Sequence, residues 1–241
     1  MSDYNYRRLP RSIQARMEDL VRALESSLGG DLRSVILHGS VARNDWREGD
    51  SDIDVIVVLA RSSRAILEKL TEPFAIARAA ARAEPMILVE DEIARAADVF
   101  PLLYDDIKRH HVVLHGPDPF RDLVVDRRHI RLRVEQELRE LKIRLRRAVT
   151  DAGGHKPTLA GAVTRKVRQA KFPLRALLSL LGTDCSDDLE TVYTKVGKRL
   201  LVDTHVLLRS KERTDEAIDT LAELLGKAVV AVDTLDEGGA A

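Results

Sequence analysis

Apolar residues in the first half of the chain switch repeatedly between helical and strand-like spacing. Between Arg11 and Leu28 they recur at steps of three and four and a Gly-Gly pair follows, which predicts an amphipathic helix that ends at glycine. The segment LRSVILHG predicts a short strand. After a polar stretch, DIDVIVVLA predicts a second strand, which is apolar on both faces beyond Asp54 and therefore fits a central strand covered on each side.

The same alternation continues up to residue 118. SSRAILEKL and FAIARAAARA predict a helix that is broken or restarted near Pro73, and EPMILVE predicts a third strand. The helical segments DEIARAADVF and LLYDDIKRHH are separated by Pro101, and VVLHG predicts a fourth short strand. We therefore predict an α/β (α+β) domain with a small mixed sheet over residues 1–118, whose strand order the sequence does not give.

The pattern changes at HGPDPF, where two prolines and a glycine predict a turn or domain junction. Beyond it the strand-like runs disappear, and residues 127–150 predict a long charged helix. Further helices are predicted by PTLAGAVTRKVRQAKFPLRALLSLLG, with a kink at Pro173, and by DDLETVYTKVGKRLLVDTHVLL and TDEAIDTLAELLGKAVVAVDTL. Residues 119–241 should therefore form a C-terminal helical bundle of four or five helices.

Composition excludes several classes of function. Lys plus Arg and Asp plus Glu both number 39, so no global positive charge favours nucleic acid as a partner. No apolar run is long enough to span a bilayer and no apolar stretch follows the basic N-terminus, so we expect a cytoplasmic protein without a membrane partner. The single cysteine, Cys185, excludes an internal disulfide and is interpreted as an ordinary core or surface residue.

Asp52 and Asp54 lie two positions apart at the start of the second predicted strand. Side chains with this spacing point to the same face, so the two carboxylates should project side by side. Their repulsion requires either a cation or a bound proton. Mg²⁺ supplies the positive charge and keeps coordination positions for water and phosphate oxygens, so the pair predicts a metal platform.

Gly39 and Ser40 follow the first predicted strand and precede a short helical segment. In this geometry free backbone N–H groups face an anion, and a glycine lets the backbone approach a phosphate closely. The Ser40 hydroxyl adds a further donor. A phosphate cradle beside a metal platform indicates nucleotidyl transfer from a nucleoside triphosphate.

The stretch GSVARNDWREGDSDID resembles the signature of the nucleotidyltransferase superfamily, in which Gly-Ser, a spacer and Asp-hydrophobic-Asp-hydrophobic follow one another. Here eleven residues separate Gly39-Ser40 from Asp52-Ile53-Asp54-Val55. Arg43 and Ser51 match the form found in minimal nucleotidyltransferases and antibiotic-modifying adenylyltransferases, whereas Asn44 stands where glycine is common.

The resemblance implies a Mg²⁺-dependent enzyme that transfers a nucleoside monophosphate, AMP from ATP in the first instance, to a hydroxyl of a small molecule or a protein. It also implies a helical C-terminal domain. The site residues that it implies are Asp52 and Asp54 as metal ligands and Gly39, Ser40, Arg43 and Ser51 as nucleotide-binding residues. The acceptor is not determined, and a homodimer remains open.

Members of this superfamily generally carry a third carboxylate on a later strand, which holds the metal or activates the acceptor hydroxyl. Glu84 is the best candidate, because EPMILVE is similar to a strand of the streptomycin/spectinomycin adenylyltransferases that a glutamate opens. The alternative, that Glu84 is a solvent-exposed residue at the start of the strand with no catalytic role, has the same support from the sequence. Residues 90–92 compete for this role, but their place at a strand-to-helix junction favours helix capping.

Two functions therefore remain open from the sequence. The leading one is a nucleotidyltransferase in which Asp52, Asp54 and Glu84 are catalytic. The alternative is a non-catalytic module of the same fold that binds or regulates, such as an antitoxin-like partner protein. A basic stripe on one helix face is interpreted as a solvated surface in preference to a phosphate contact; its members are Arg165, Arg168, Lys171 and Arg175.

Overall fold

The computed structural model describes residues 11–43, 46, 51–183 and 188–237. The chain forms two compact units, of which the first ends at Val125 and the second begins at Asp126. The turn HGPDPF, where the sequence places the junction, ends at Phe120, and the side chains of Phe120 and of the later Leu123 are buried in the core of the first unit. The chain therefore continues to contribute apolar side chains to the first core after this turn.

The first unit contains one mixed four-stranded sheet in the order β3-β2-β1-β4. Its strands are β1 (Leu32–Leu37), β2 (Ile53–Leu59), β3 (Ala83–Val89) and β4 (Val112–His115). Strand β2 is parallel to β3 and antiparallel to β1, and β1 is antiparallel to β4. As a result β1 ends at the edge of the sheet where β2 and β3 begin, which brings the three candidate segments of the site to one end.

The helices of the first unit follow the apolar spacing of the sequence. They are α1 (Arg11–Leu28), α2 (Gly39–Arg43), α3 (Arg64–Glu68), α4 (Thr71–Ala81), α5 (Glu90–Ala96) and α6 (Pro101–Arg109). The predicted break lies before Pro73, between α3 and α4, and Pro73 itself falls in the first turn of α4. A proline is tolerated there because the N–H that it lacks would have no helical partner.

Strand β2 is covered on both faces, as its sequence predicts. Ile53, Val55, Val57 and Leu59 belong to one core cluster, which also contains residues of α1, α3 and α4. Ile56 and Val58 belong to the other cluster, with Tyr104 and Ile107 of α6. Because strand residues alternate between faces, Asp54 lies on the same face as Ile56 and Val58, the face that α6 covers.

The described residues of the second unit form helices joined by turns and contain no strand. It comprises α7 (Arg127–Asp151), α8 (Lys156–Leu180), α9 (Leu189–Leu200), a short 3-10 helix (His205–Arg209) and α10 (Thr214–Glu237). Helix α8 continues through Pro173. The buried Tyr193 hydroxyl donates a hydrogen bond to the Val167 carbonyl at 2.7 Å, which ties α9 to α8. Cys185 lies outside the described residues. None of the described helices is long and apolar enough to cross a membrane.

Candidate active site

The backbone at Gly39 packs directly against the Asp54 carboxylate. Gly39 opens α2 with φ +65°, in the left-handed region that glycine adopts without steric cost. A Cβ atom at this position would lie 2.0 Å from Asp54 Oδ2. The neighbouring His38 backbone N–H donates to the Asp54 carbonyl at 3.1 Å, which fixes the end of β1 against the start of β2. Only glycine therefore permits this close approach of carboxylate and backbone.

Asp54 is half-buried, and its environment disfavours the ionised form. Burial raises the pKa of the Asp54 carboxyl, and the negative charges of Asp52 and Glu84 raise it further. His38 and Arg43 act in the opposite direction but do not reverse the shift. The pKa of the Asp54 carboxyl is therefore set by its burial and by the charges of two acidic and two basic neighbours.

Glu84 is brought beside Asp54 by the register of the parallel strands. The Cα atoms of Asp54 and Glu84 are direct partners in the pairing of β2 and β3, so the two side chains share one face of the sheet. The Glu84 carboxylate also accepts two hydrogen bonds from Arg78 of α4, from Nε to Oε1 and from Nη2 to Oε2, each 3.0 Å long. Glu84 is therefore held in a bidentate ion pair at the edge of the site, with its side chain 49% exposed.

Asp52 has an arginine partner from the same region of the fold. Arg82 Nε lies 2.8 Å from Asp52 Oδ1. Arg82 ends α4 in the left-handed conformation, with φ 52°, and its carbonyl accepts a hydrogen bond from the Ile53 N–H at 3.1 Å. The end of α4 thus supplies Arg78 to Glu84 and Arg82 to Asp52, the two carboxylates whose charges raise the pKa of Asp54 beyond the effect of burial.

A cluster of mostly buried polar side chains lies on the same face of the sheet as Asp54, the face that α6 covers. Arg43 Nη1 donates to Asp106 Oδ2 at 2.8 Å, and these side chains are only 18% and 9% exposed. His110 Nδ1 lies 3.4 Å from the other Asp106 oxygen. Burial lowers the pKa of His38, although the charges of Asp54 and Asp106 oppose this shift. The end of α2 is therefore linked by an ion pair to α6.

The remaining predicted residues occupy different parts of the sheet. Ser40 is the second residue of α2 and Ser51 directly precedes Asp52, so both lie at the same end of the sheet as Asp54. Residues 90–92 form the first turn of α5, after the opposite end of β3, and Glu90 pairs with Arg33 at 3.0 Å. The topology brings Glu84, and not residues 90–92, to Asp54.

Comparison with known proteins gives the family. The family model described as nucleotidyltransferase domain matches residues 17–145 of this chain of 241 residues. The chain belongs to this family. It is a transferase enzyme, and its general chemistry is the transfer of nucleoside monophosphate groups. No curated protein matches the chain.

Among solved structures, this nucleotidyltransferase is similar to spectinomycin adenyltransferase AAD(9) from Enterococcus faecialis, which was crystallised with ATP and spectinomycin. The two share 11% identity with a TM-score of 0.52, over 91% of this chain and 98% of the other. At this identity the likeness shows the fold. The nucleotidyltransferase fold with a helical C-terminal part, predicted from the sequence, is thereby confirmed.

The carboxylates of this nucleotidyltransferase fit Mg²⁺ as a pair. Across the described residues there is no group of three or more His, Cys, Asp or Glu side chains arranged to hold a metal ion by themselves. Mg²⁺, however, usually takes one or two protein carboxylates and completes its shell with water and substrate phosphates. Asp52 and Asp54 suit this arrangement. Burial is the main cause of the raised pKa of Asp54, and the charges of Asp52 and Glu84 add to it, so a divalent cation would offset negative charge that the site itself does not neutralise.

Sequence reasoning missed two residues of the site, His38 and Asp106. The position of His38 directly before Gly39, where an apolar residue is usual, predicts only a strand residue, yet its side chain is buried close enough to Asp54 to affect the pKa of that carboxyl. Asp106 follows Leu102 by four positions on the apolar face of α6 and is 7% exposed. A carboxylate on the buried face of an amphipathic helix needs a charged or hydrogen-bonding partner, so the place of Asp106 in the apolar pattern of α6 is the sequence feature that could have identified it.

Proposed function

We propose that this nucleotidyltransferase uses Mg²⁺ and transfers AMP from ATP to a hydroxyl group of its acceptor. The observation that carries the proposal is the position of Asp54, in register with Glu84 on one side and against the Gly39 backbone on the other. A carboxylate pair and a glycine turn at one end of the sheet can hold a metal-bound triphosphate. Such reactions depend mainly on positioning and on stabilising the charge that develops on the transferred group.

In this proposal the residues have distinct roles. Asp52 and Asp54 are the metal ligands, and Gly39, Ser40 and Ser51 position the triphosphate, as the family resemblance implies. Arg43 contributes by holding α2 in place through its ion pair with Asp106. When bound, Mg²⁺ supplies positive charge to the phosphate oxygens. Glu84 is the base that accepts the proton of the acceptor hydroxyl.

The proposed reaction is a substitution at the α-phosphorus of ATP. The acceptor oxygen forms a bond to this phosphorus, and the bond between phosphorus and the oxygen that bridges to the β-phosphate breaks. Pyrophosphate leaves with that electron pair, and the hydroxyl proton passes to the Glu84 carboxylate. Arg78 orients Glu84 through its two hydrogen bonds, which limits the positions that the base can adopt.

The structural relative supports this choice of donor and acceptor class. It was crystallised with ATP and with spectinomycin, a small molecule. We therefore propose ATP as the donor for this chain and a hydroxyl-bearing small molecule as the first acceptor class to test. A protein hydroxyl is the second class that the sequence resemblance implies.

The test is a transfer assay with α-labelled nucleoside triphosphates. Full-length protein is incubated with each labelled triphosphate, Mg²⁺ and a panel of hydroxyl-bearing small molecules and proteins, with EDTA in a parallel series. We expect labelled product with ATP that disappears with EDTA and in Asp54→Asn, whereas the control Glu90→Gln, at the opposite end of β3, remains active. A non-catalytic module predicts nucleotide binding without any transferred label. The proposal is wrong if calorimetry detects no triphosphate binding and Asp54→Asn changes nothing.

A further inference from the structure

The second unit contains an open cavity of about 280 Å³ between α7 and α8. Its charged lining is strongly unbalanced: Arg144 and Arg147 of α7 and Arg165 and Lys166 of α8 face it, with Asp151 as the acidic residue of the lining. We propose that this cavity binds a small multivalent phosphate anion, of the pyrophosphate or oligophosphate class.

The positive charge of the cavity is only partly neutralised within the protein. Arg147 Nε pairs with Asp151 at 3.0 Å, and Arg144 pairs with Glu140 one turn earlier on α7. Among the residues that the structure describes, no carboxylate forms an ion pair with Arg165 or Lys166. The two side chains from α8 therefore contribute positive charge that an anion could neutralise.

The electrostatic environment of Lys166 agrees with this geometry. Burial lowers the pKa of the Lys166 ammonium, and the nearby guanidinium groups of Arg144 and Arg165 lower it further. Like charges that depress one another in this way are relieved when an anion binds among them. Lys166 also donates to Gln169 at 2.8 Å, which holds its ammonium on the same side of α8.

The size and the charged lining of the cavity limit the class of ligand that it can bind. Pockets for drug-sized molecules typically enclose roughly 300–1,000 Å³, so this cavity, of about 280 Å³, is suited to a small ligand. Guanidinium groups present paired N–H donors that match phosphate oxygens, and Thr158 adds a hydroxyl to the lining. Several cations around one small volume favour an anion with more than one negative charge. Free pyrophosphate and the triphosphate tail of a nucleotide share this chemistry.

The test uses calorimetry on the full chain with EDTA present, so that metal-dependent binding at Asp52 and Asp54 does not contribute. Pyrophosphate, orthophosphate, ATP and a short single-stranded oligonucleotide are titrated separately. We expect pyrophosphate to bind and its affinity to fall roughly tenfold or more in the double variant Arg165→Gln/Lys166→Gln, since charged hydrogen bonds are lost. The matched control is Arg146→Gln, an exposed arginine of α7 that does not line the cavity.

The outcomes separate this site from the proposed active site. Pyrophosphate binding that survives Asp54→Asn and is lost in the α8 double variant supports the inference even if no transfer activity is found. If ATP binds in the same manner more tightly than pyrophosphate, a nucleotide triphosphate tail is the occupant. The inference is overturned if neither pyrophosphate nor ATP binds in the presence of EDTA, or if only the oligonucleotide binds. It is also overturned if Arg146→Gln weakens pyrophosphate binding as much as the α8 double variant does. Thermal melts of each variant identify any loss of fold.

Discussion

Asp54 on β2 and Glu84 on β3 are direct neighbours in the parallel pairing of the two strands. Their side chains share a face of the sheet, and the charge of Glu84 contributes to the raised pKa of Asp54. Asp54 is thus held in a position where ionisation is unfavourable until positive charge arrives. The ionised Asp54 carboxylate is therefore suited to binding a cation, and it lowers the free energy of unfolding when no cation is bound.

Asp54→Asn should strongly reduce nucleotidyl transfer without lowering the thermal stability of the protein. The pKa of Asp54 is raised in the folded state by burial and by Asp52 and Glu84, so the folded protein holds this proton more tightly than the unfolded chain. The stability that it contributes is present at low pH and is lost as pH rises through the raised pKa. At neutral pH the ionised carboxylate therefore destabilises the fold, and asparagine removes that charge. We expect Tm to stay equal or to rise, while transfer falls by about 10²–10³-fold.

The control for this prediction is Asp98→Asn, which removes the charge of an exposed aspartate in the same unit. Its transfer rate should equal that of the wild type. Glu84→Gln should reduce transfer by about 10²–10⁴-fold, as expected for loss of a general base. A clear decrease in Tm for Asp54→Asn would show that the carboxylate stabilises the fold, contrary to this interpretation.

A methyl group at Gly39 should disrupt the site more than the same change at another glycine in the left-handed conformation. Gly39 and Gly29 have φ +65° and φ +52°, so alanine at either position costs about 1–2 kcal/mol of backbone strain. Only at Gly39 would the new Cβ lie 2.0 Å from Asp54 Oδ2; at Gly29 it meets no atom within 4 Å. We expect Gly39→Ala to lose transfer activity and to lower the unfolding free energy more than Gly29→Ala, which should retain activity. Equal activity in the two variants would contradict the packing of Asp54 against this turn.

Local patterns predict the elements of the first unit well, because its helices and strands have uniform apolar spacing. The helix Arg11–Leu28 and the strand beginning at Ile53 are confirmed close to their predicted limits. The choice between Glu84 and residues 90–92 is different. It depends on which end of β3 lies beside the start of β2, and therefore on a parallel register that no local pattern contains.

The ion pair of Arg43 with Asp106 could not be predicted for a related reason. The two residues are separated by 63 positions, and neither has an unusual local context except that Asp106 occupies the apolar face of its helix. The sequence indicates that such a carboxylate needs a partner but does not identify that partner. The signature motif therefore identifies Asp52 and Asp54 as the proposed metal ligands, whereas the Arg43–Asp106 ion pair beside them becomes visible only in three dimensions.

Asp126, the N-cap residue of α7, should make a pH-dependent contribution to the free energy of unfolding. Hydrogen bonds from the side chain and then the backbone N–H of Arg128 lower the pKa of Asp126, at the start of α7, to about 2. Because the folded pKa lies below the unfolded value of about 3.9, this contribution is fully present above the unfolded value, and it declines as pH falls and is lost once pH passes through the folded value of about 2. We expect Asp126→Asn, which keeps an oxygen acceptor for the cap, to be less stable than wild type above about pH 5, and we expect the difference to shrink steadily as pH falls from there towards 2. Urea unfolding across this range measures the difference, and a difference independent of pH would disprove the assignment.

The last prediction concerns whether Arg43 acts through Asp106 or directly on the nucleotide. Breaking this largely buried ion pair from one side removes a charged hydrogen bond, so Arg43→Gln and Asp106→Asn should each lower the unfolding free energy by about 1.5–3 kcal/mol. The double variant, which leaves neither charge, should be more stable than the sum of the single effects predicts. Urea unfolding of the four proteins measures this coupling.

Nucleotide affinity measured on the same four proteins distinguishes the two roles of Arg43. If Arg43 mainly positions α2, then Arg43→Gln, Asp106→Asn and the double variant should weaken ATP binding to a similar extent, because each releases the same contact between α2 and α6. If Arg43 instead binds phosphate directly, Asp106→Asn frees its charge and should strengthen ATP binding, while Arg43→Gln weakens it. Asp106→Glu keeps the charge and should restore part of the affinity only in the positioning case. Since Asp106 already accepts a 2.8 Å hydrogen bond from Arg43, we expect the positioning result.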